Sequence, residues 1–239
     1  APYEEKIHEK LALRGYMTYD FFLPGLIIDA LERQTAEVLV RWANELQDKQ
    51  IRTVNMLGCH DGIPLLDLKG LLQDEQIGRL IQTVVARGGY VKDLHGQKNV
   101  YYQVNATYFS ALGEDERKLL LARAIQMFMP GRPQIWYLDL LAGKNDHAAV
   151  DRAGPGGHKE INRTNLTLSE ADERLKLKVV QEQLALIRLR NTCRAFGFDA
   201  RMTIALPEPH LMTITWENKG CRAEIKANLR DCSFDICSG

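Results

Sequence analysis

The alternation of apolar and polar positions divides this 239-residue chain into strand-then-helix units followed by a run of strands. Gly15 to Phe22 mixes aromatic and β-branched residues and stops short of Pro24, which predicts a short buried strand and then a helix with proline in its first turn. Between Gln34 and Asn44, the apolar Ala36, Val38, Leu39, Val40, Trp42 and Ala43 fill a helix-length segment, and Ile51 to Leu57 reads as a strand running into Gly58. Asp74 to Arg87 places Ile77, Leu80, Ile81, Val84 and Val85 at helical spacing and stops at Gly88-Gly89. Glu114 to Met129 repeats that grammar, with acids in its first turn and Pro130-Gly131 past its end.

Ile135 to Leu141 reads as a short apolar strand, and the polar, glycine-rich stretch from Lys144 to Thr167 as a long loop without a convincing element, either functional or disordered. Ser169 opens the clearest helix, bracketed by Asp172 as in a variant capping box and carried by Leu175, Val179, Val180, Leu184, Ile187 and Leu189 toward Phe196. The period then changes. Leu211 to Trp216, the turn Asn218-Lys219-Gly220, and Cys221 to Ala227 read as a strand, a tight turn and a second strand, with a boundary near residues 197 to 206. Strand-helix repeats followed by antiparallel strands predict an α/β chain: part of a parallel barrel with an appended β domain.

Composition narrows the partners. Lysine plus arginine equals aspartate plus glutamate at 31 each, and no basic aromatic patch is present, so nothing points to nucleic acid or an anionic membrane. The expected partner is a small neutral or singly charged molecule. The five cysteines are scattered and lack zinc-site spacing, which fits a reduced, cytoplasmic protein. The longest apolar stretch, Phe21 to Leu31, is broken by Pro24, Gly25 and Asp29 and is too short to span a bilayer.

Candidate chemistry begins at the end of the second predicted strand. Val54-Asn-Met-Leu-Gly-Cys-His60-Asp61-Gly62 delivers an imidazole and a carboxylate side by side where an apolar strand ends. In a parallel α/β barrel the C-terminal strand ends face the active site. Alone, a His-Asp pair more often caps a turn than carries out a reaction; segments further along the chain give it a context.

Phe128-Met-Pro-Gly-Arg-Pro-Gln-Ile-Trp-Tyr137 resembles the α-amylase superfamily of glycoside hydrolases, in which a His-Asp pair ends strand seven and a Pro-Gly-x-Pro segment leads into strand eight. Tyr102-Gln-Val-Asn-Ala-Thr-Tyr108, Leu141-Ala-Gly-Lys-Asn-Asp146 and Lys159-Glu-Ile-Asn-Arg163 narrow the resemblance to the sucrose phosphorylase group. Within it, Gly58-Cys59 and the stretch His95-Gly-Gln-Lys-Asn-Val-Tyr101, which has Val100 in place of an acid, look most like the glucosylglycerate phosphorylase branch.

The resemblance implies the C-terminal part of a TIM (β/α)8 barrel over residues 1–200, then the start of a small, incomplete antiparallel β domain over 201–239. It implies that Asp61 stabilises the transition state by bonding sugar hydroxyls, that His60 donates to the same sugar, and that Arg163 holds the ring. Tyr102 and Gln103 belong to the acceptor loop, and Lys98 and His95 suit an anionic acceptor. The implied reaction is retaining transfer of glucosyl from 2-O-α-glucosylglycerate to phosphate, giving α-glucose 1-phosphate by double displacement. Inorganic phosphate is a co-substrate, and neither cofactor nor metal is implied.

The same resemblance puts the nucleophilic Asp and the acid/base Glu upstream of Ala1, so this chain reads as a piece of a longer enzyme that pairs with the missing half or with another copy. Sucrose and sucrose 6-phosphate are alternative donors, and a hydrolase or transglucosidase of the same fold is an alternative activity. A catalytically incomplete carbohydrate-binding fragment is the reading from a different class.

Overall fold

The protein is represented by a computed structural model that describes residues 1–93 and 101–239. A short helix, α1 (Ile7–Ala12), precedes strand β1 (Thr18–Asp20). The buried Asp20 carboxylate ties the next two helices together. One oxygen accepts the N–H groups of Phe22 (3.1 Å) and Leu23 (3.0 Å), capping α2 (Leu23–Arg33), and the other accepts Trp42 Nε1–H at 3.0 Å from α3 (Glu37–Asp48). Pro24 sits in the first turn of α2, as the sequence predicts.

Strand β2 (Thr53–Asn55) runs parallel to β1 and, on its other side, to a later strand at Arg132–Pro133, forming a three-stranded parallel sheet. Between them comes a second sheet. Strand β3 (Ile63–Pro64) leads through α4 (Asp74–Ala86) to β4 (Tyr90–Asp93) and β5 (Tyr101–Asn105), which assemble antiparallel in the order β3-β5-β4. Then α5 (Tyr108–Ala111) and α6 (Glu116–Phe128) bring the chain to β6 (Arg132–Pro133).

The junction of β2 and β6 is held by side chains as well as by the ladder. Asn55 Nδ2 donates to Pro130 O at 2.9 Å, and the buried Gln126 amide donates to Asn55 O, Asn55 Oδ1 and Gln134 O at 3.0–3.3 Å. These side-chain bonds add to the backbone bond from Gln134 N–H to Asn55 O at 2.8 Å.

Three expectations need correction. Residues 135–141 do not form a strand: α7 (Tyr137–Leu140) occupies them, turning Leu138 and Asp139 inward, because a short apolar run has no period that separates strand from helix. Residues 144–167 are not structureless: Asp146 caps α8 (His147–Ala153) through Ala149 N–H at 2.9 Å, and a 3-10 segment covers Gly157–Asn162. The long helix is two, α9 (Leu168–Leu175) and α10 (Lys178–Thr192). Its cap is Thr167, reciprocally bonded with Glu170, two residues earlier than Ser169 and Asp172 imply.

The last four strands, β7 (Arg201–Glu208), β8 (Leu211–Asn218), β9 (Cys221–Asn228) and β10 (Ser233–Ser238), form an antiparallel meander. The predicted hairpin is present, with Lys219 and Gly220 both at positive φ between the paired Asn218 and Cys221. Its inner face joins the same buried apolar cluster as the helices: Trp216 Nε1 donates to Phe128 O at 2.8 Å, and the Arg190 guanidinium lies over the Phe196 ring at 4.5 Å.

Burial raises the Asp20 carboxyl to about 6 even though three donors favour its charged form. Trp42→Phe removes one donor from a carboxylate that cannot reach water, so it is expected to destabilise the chain by about 1–3 kcal/mol at pH 8. A raised carboxyl costs stability as it ionises, so stability tied to Asp20 is full below about pH 4 and is lost as pH rises through about 6. The Trp42→Phe deficit should therefore shrink at pH 5; urea unfolding of both proteins at the two pH values checks this.

Candidate active site

All three parallel strands end on one side. Residues 58–62 come after β2 there, beside Gln134 to Trp136, which come after β6; the His60 and Trp136 rings lie 6.0 Å apart. A cavity of about 860 Å3 opens at the opposite ends of the strands, among Gly15, Arg52, Arg132 and Phe198, and does not reach this pair.

The turn carrying His60 and Asp61 is not held by a ladder. Its three successive carbonyls are each taken by side chains from elsewhere: Cys59 O by Asn162 Nδ2 at 2.6 Å, His60 O by Arg163 Nε at 3.0 Å, and Asp61 O by Asn105 Nδ2 at 2.7 Å together with Gln103 Nε2. Asn162 in turn accepts Trp136 Nε1–H at 3.1 Å. The turn also depends on two glycines: a Cβ at Gly58 would lie 2.5 Å from Asp139 Oδ2, and Gly62, at φ +108, would put one 2.7 Å from Val104 O.

The loop after α7 is tied in by the same logic. Thr107 N–H donates to Asn145 Oδ1 at 2.8 Å, Asp146 N–H to Ile161 O at 3.0 Å, and Thr164 Oγ1 to Asp146 Oδ2 at 3.0 Å. Together these bonds set the Gly157–Asn162 turn, and with it Lys159 and Arg163, over Asp61.

Three bases surround the Asp61 carboxylate. Lys159 Nζ lies 2.5 Å from Oδ1, Arg163 Nη2 lies 3.6 Å from the same oxygen, and His60 Nε2 lies 3.2 Å from Oδ2. The Lys159 hydrogen bond, then the charges of Lys159, His60 and Arg163, hold the Asp61 carboxyl below its usual range despite partial desolvation. Asp61 is therefore an anion at neutral pH, nearly half exposed, with oxygens that accept and never donate. Underneath, burial raises the Asp139 carboxyl to about 6 and lowers the Arg123 guanidinium to about 10.

Of the residues predicted from sequence, His60, Asp61, Arg163 and Gln103 converge on this turn. Gln103 is buried, with its amide on Asp61 O, so it supports the turn. Tyr102 stands beside it in β5, while His95 and Lys98 lie outside the described residues. Sequence reasoning passed over Lys159 and Asn162, although both stand within the Lys159-Glu-Ile-Asn-Arg163 segment; only Arg163 carried an implied role. Cys59, His60 and Asp61 offer atoms within 4.8 Å of one another, yet burial raises the Cys59 thiol, whose Sγ accepts Asp61 N–H, and Asp61 already has Lys159. A neutral thiol beside an occupied carboxylate is a poor metal site.

This geometry sets two measurable expectations. Gly62→Ala must place a Cβ against Val104 O at a positive φ and should destabilise the chain by about 1–3 kcal/mol, read from its urea midpoint. Lys159→Met should return the Asp61 carboxyl toward its usual range in a 13C NMR titration. Because Lys159 depresses that value, the stability tied to the pair is present above about pH 4 and fades as pH falls below it.

No family model matches the chain. It is 50% identical to a sucrose 6(F)-phosphate phosphorylase of Ilumatobacter coccineus over 98% of this chain and 46% of that protein. It is 32% identical to a glucosylglycerate phosphorylase of Escherichia coli over 85% of this chain and 39% of that one. The crystal structure of sucrose 6F-phosphate phosphorylase from Thermoanaerobacter thermosaccharolyticum superposes with a TM-score of 0.90 at 35% identity, covering 98% of this chain and 46% of its own. An α-amylase from H. orenii shares the fold at 14% identity, with a TM-score of 0.58 over 93% of this chain and 42% of its own. The chain spans about half the length of the curated relatives it matches. Identity at this level over nearly every residue, with the same fold, means that the chain belongs to the sucrose phosphorylase group.

Proposed function

We propose that this chain supplies the sugar-holding side of a retaining α-glucoside phosphorylase. In this reading residues 1–200 are the C-terminal part of a (β/α)8 barrel, and residues 201–239 begin a C-terminal β domain packed on it. The observation that carries the proposal is the carbonyl-clamped turn at the ends of the parallel strands, which presents an ionised, half-exposed Asp61 flanked by His60 and Arg163.

An anionic acceptor of hydrogen bonds suits the hydroxyls next to a reacting anomeric carbon, because those hydroxyls become better donors as positive charge grows on the ring. In the first step a carboxylate nucleophile attacks the anomeric carbon, the glycosidic bond breaks, and the leaving alcohol takes the proton of an acid/base carboxyl. In the second, a phosphate oxygen attacks the anomeric carbon of the β-glucosyl ester. The ester bond breaks, the carboxylate is regenerated, and the phosphate proton passes to the acid/base group. Asp61 takes neither of these two parts; paired with Lys159, it stays an anion that accepts hydrogen bonds without itself reacting.

The donor reading moves with the comparisons. Sequence features alone favour glucosylglycerate; the 50% identity to a sucrose 6(F)-phosphate phosphorylase, against 32% to a glucosylglycerate phosphorylase, favours sucrose 6-phosphate. Both donors carry an anionic acceptor, in keeping with the basic character of the stretch that holds His95 and Lys98.

The full-length protein that carries this chain should release glucose 1-phosphate from sucrose 6-phosphate in a phosphate-dependent way, faster than from sucrose or glucosylglycerate. Asp61→Asn should lower kcat/KM at least about a hundredfold while moving the urea midpoint only slightly, since an ion pair with a nearly half-exposed carboxylate adds little stability. Release of glucose alone would reject phosphorolysis, and equal losses of stability and turnover would make Asp61 structural. Residues 1–239 alone should not turn over.

A further inference from the structure

Lys159 is the nearest cation to Asp61, and the sugar-holding role of that carboxylate leaves the lysine without a task. Its side chain is about one-third exposed and, among the described residues, Asp61 is the acid it pairs with. Arg163, by contrast, is anchored: Nε on His60 O, Nη1 3.7 Å from Glu160 and Nη2 3.6 Å from Asp61. The two cations at Asp61 are thus unequal. Arg163 belongs to the clamp, whereas Lys159 touches the site only through the carboxylate that substrate must claim.

Once sugar hydroxyls take the Asp61 oxygens, a flexible four-carbon stem carrying a compact charge is left at the site with its partner redirected. Its charge is then free to meet an anion next to the reacting carbon. Glu160 is the other acid of the turn and faces Arg163. We propose that Lys159 is a specificity-determining residue that exchanges Asp61 for a phosphate group when the glucosyl unit is bound, and so favours phosphate over water. The proposal rests on the phosphorylase reading.

A phosphate group could come from the free co-substrate or from a phosphorylated donor, and the assay separates the two. In the full-length protein, Lys159→Gln keeps a donor toward Asp61 and removes the charge, while Lys159→Arg restores it. Glucose 1-phosphate and free glucose are measured together from sucrose and from sucrose 6-phosphate over a range of phosphate concentrations.

For Lys159→Gln the ratio of glucose 1-phosphate to glucose should fall about tenfold, with Lys159→Arg recovering most of it. A raised KM for phosphate with both donors assigns the cation to the free co-substrate; a raised KM confined to sucrose 6-phosphate assigns it to the donor's phosphate. An unchanged product ratio and unchanged KM values, with both products slowed alike, would leave Lys159 as a mere partner of Asp61 and overturn the proposal. Failure of the unaltered protein to form glucose 1-phosphate from any donor would instead reject the phosphorylase reading.

Discussion

Residues 58–62 turn between β2 and β3 and belong to neither, so their carbonyls have no ladder to join. A buried carbonyl without a donor costs free energy comparable to a lost hydrogen bond. The protein meets that constraint with amide and guanidinium groups from two distant segments: Gln103 and Asn105 on one side, Asn162 and Arg163 on the other. The turn is therefore only as well placed as β5 and the Gly157–Asn162 segment, and the rest of the fold serves to bring these to β2.

The same constraint accounts for the polar residues in the interior. Asn55 and Gln126 join β2 to β6 through side-chain bonds, and Asp20 ties the start of α2 to Trp42 on α3. Asp139 closes the space beneath Gly58, with Tyr108 N–H at 3.0 Å on one oxygen. Burial raises both acids to about 6, a cost accepted where rigidity at the strand ends is the gain.

Electrostatics divides the site into a fixed part and a movable part. Arg163 is committed to backbone and to two acids, whereas Lys159 reaches Asp61 on a flexible stem. A carboxylate already paired with a displaceable cation is kept ionised at no risk of protonation near neutral pH, and the cation remains close when that pairing changes. This arrangement suits a reaction in which one anion holds the sugar and another arrives to attack it.

Much of this was legible in the chain itself. Helical spacing located α4 and α6, Asn218-Lys219-Gly220 located the hairpin, and the order of elements separated the strand-helix units from the antiparallel strands. His60 and Asp61 stood out because they terminate an apolar strand. Local signals of this kind depend on neighbours within a few residues, and sequence carries them directly. Tertiary structure alone decided the non-local features: that residues 137–140 close a helix over Gly58, that Gln103 turns inward, and that Asn162, Arg163 and Lys159 reach back about a hundred residues to the His-Asp turn. Which group satisfies a given carbonyl or carboxylate depends on distances between segments remote in sequence, and no periodicity or spacing records those distances.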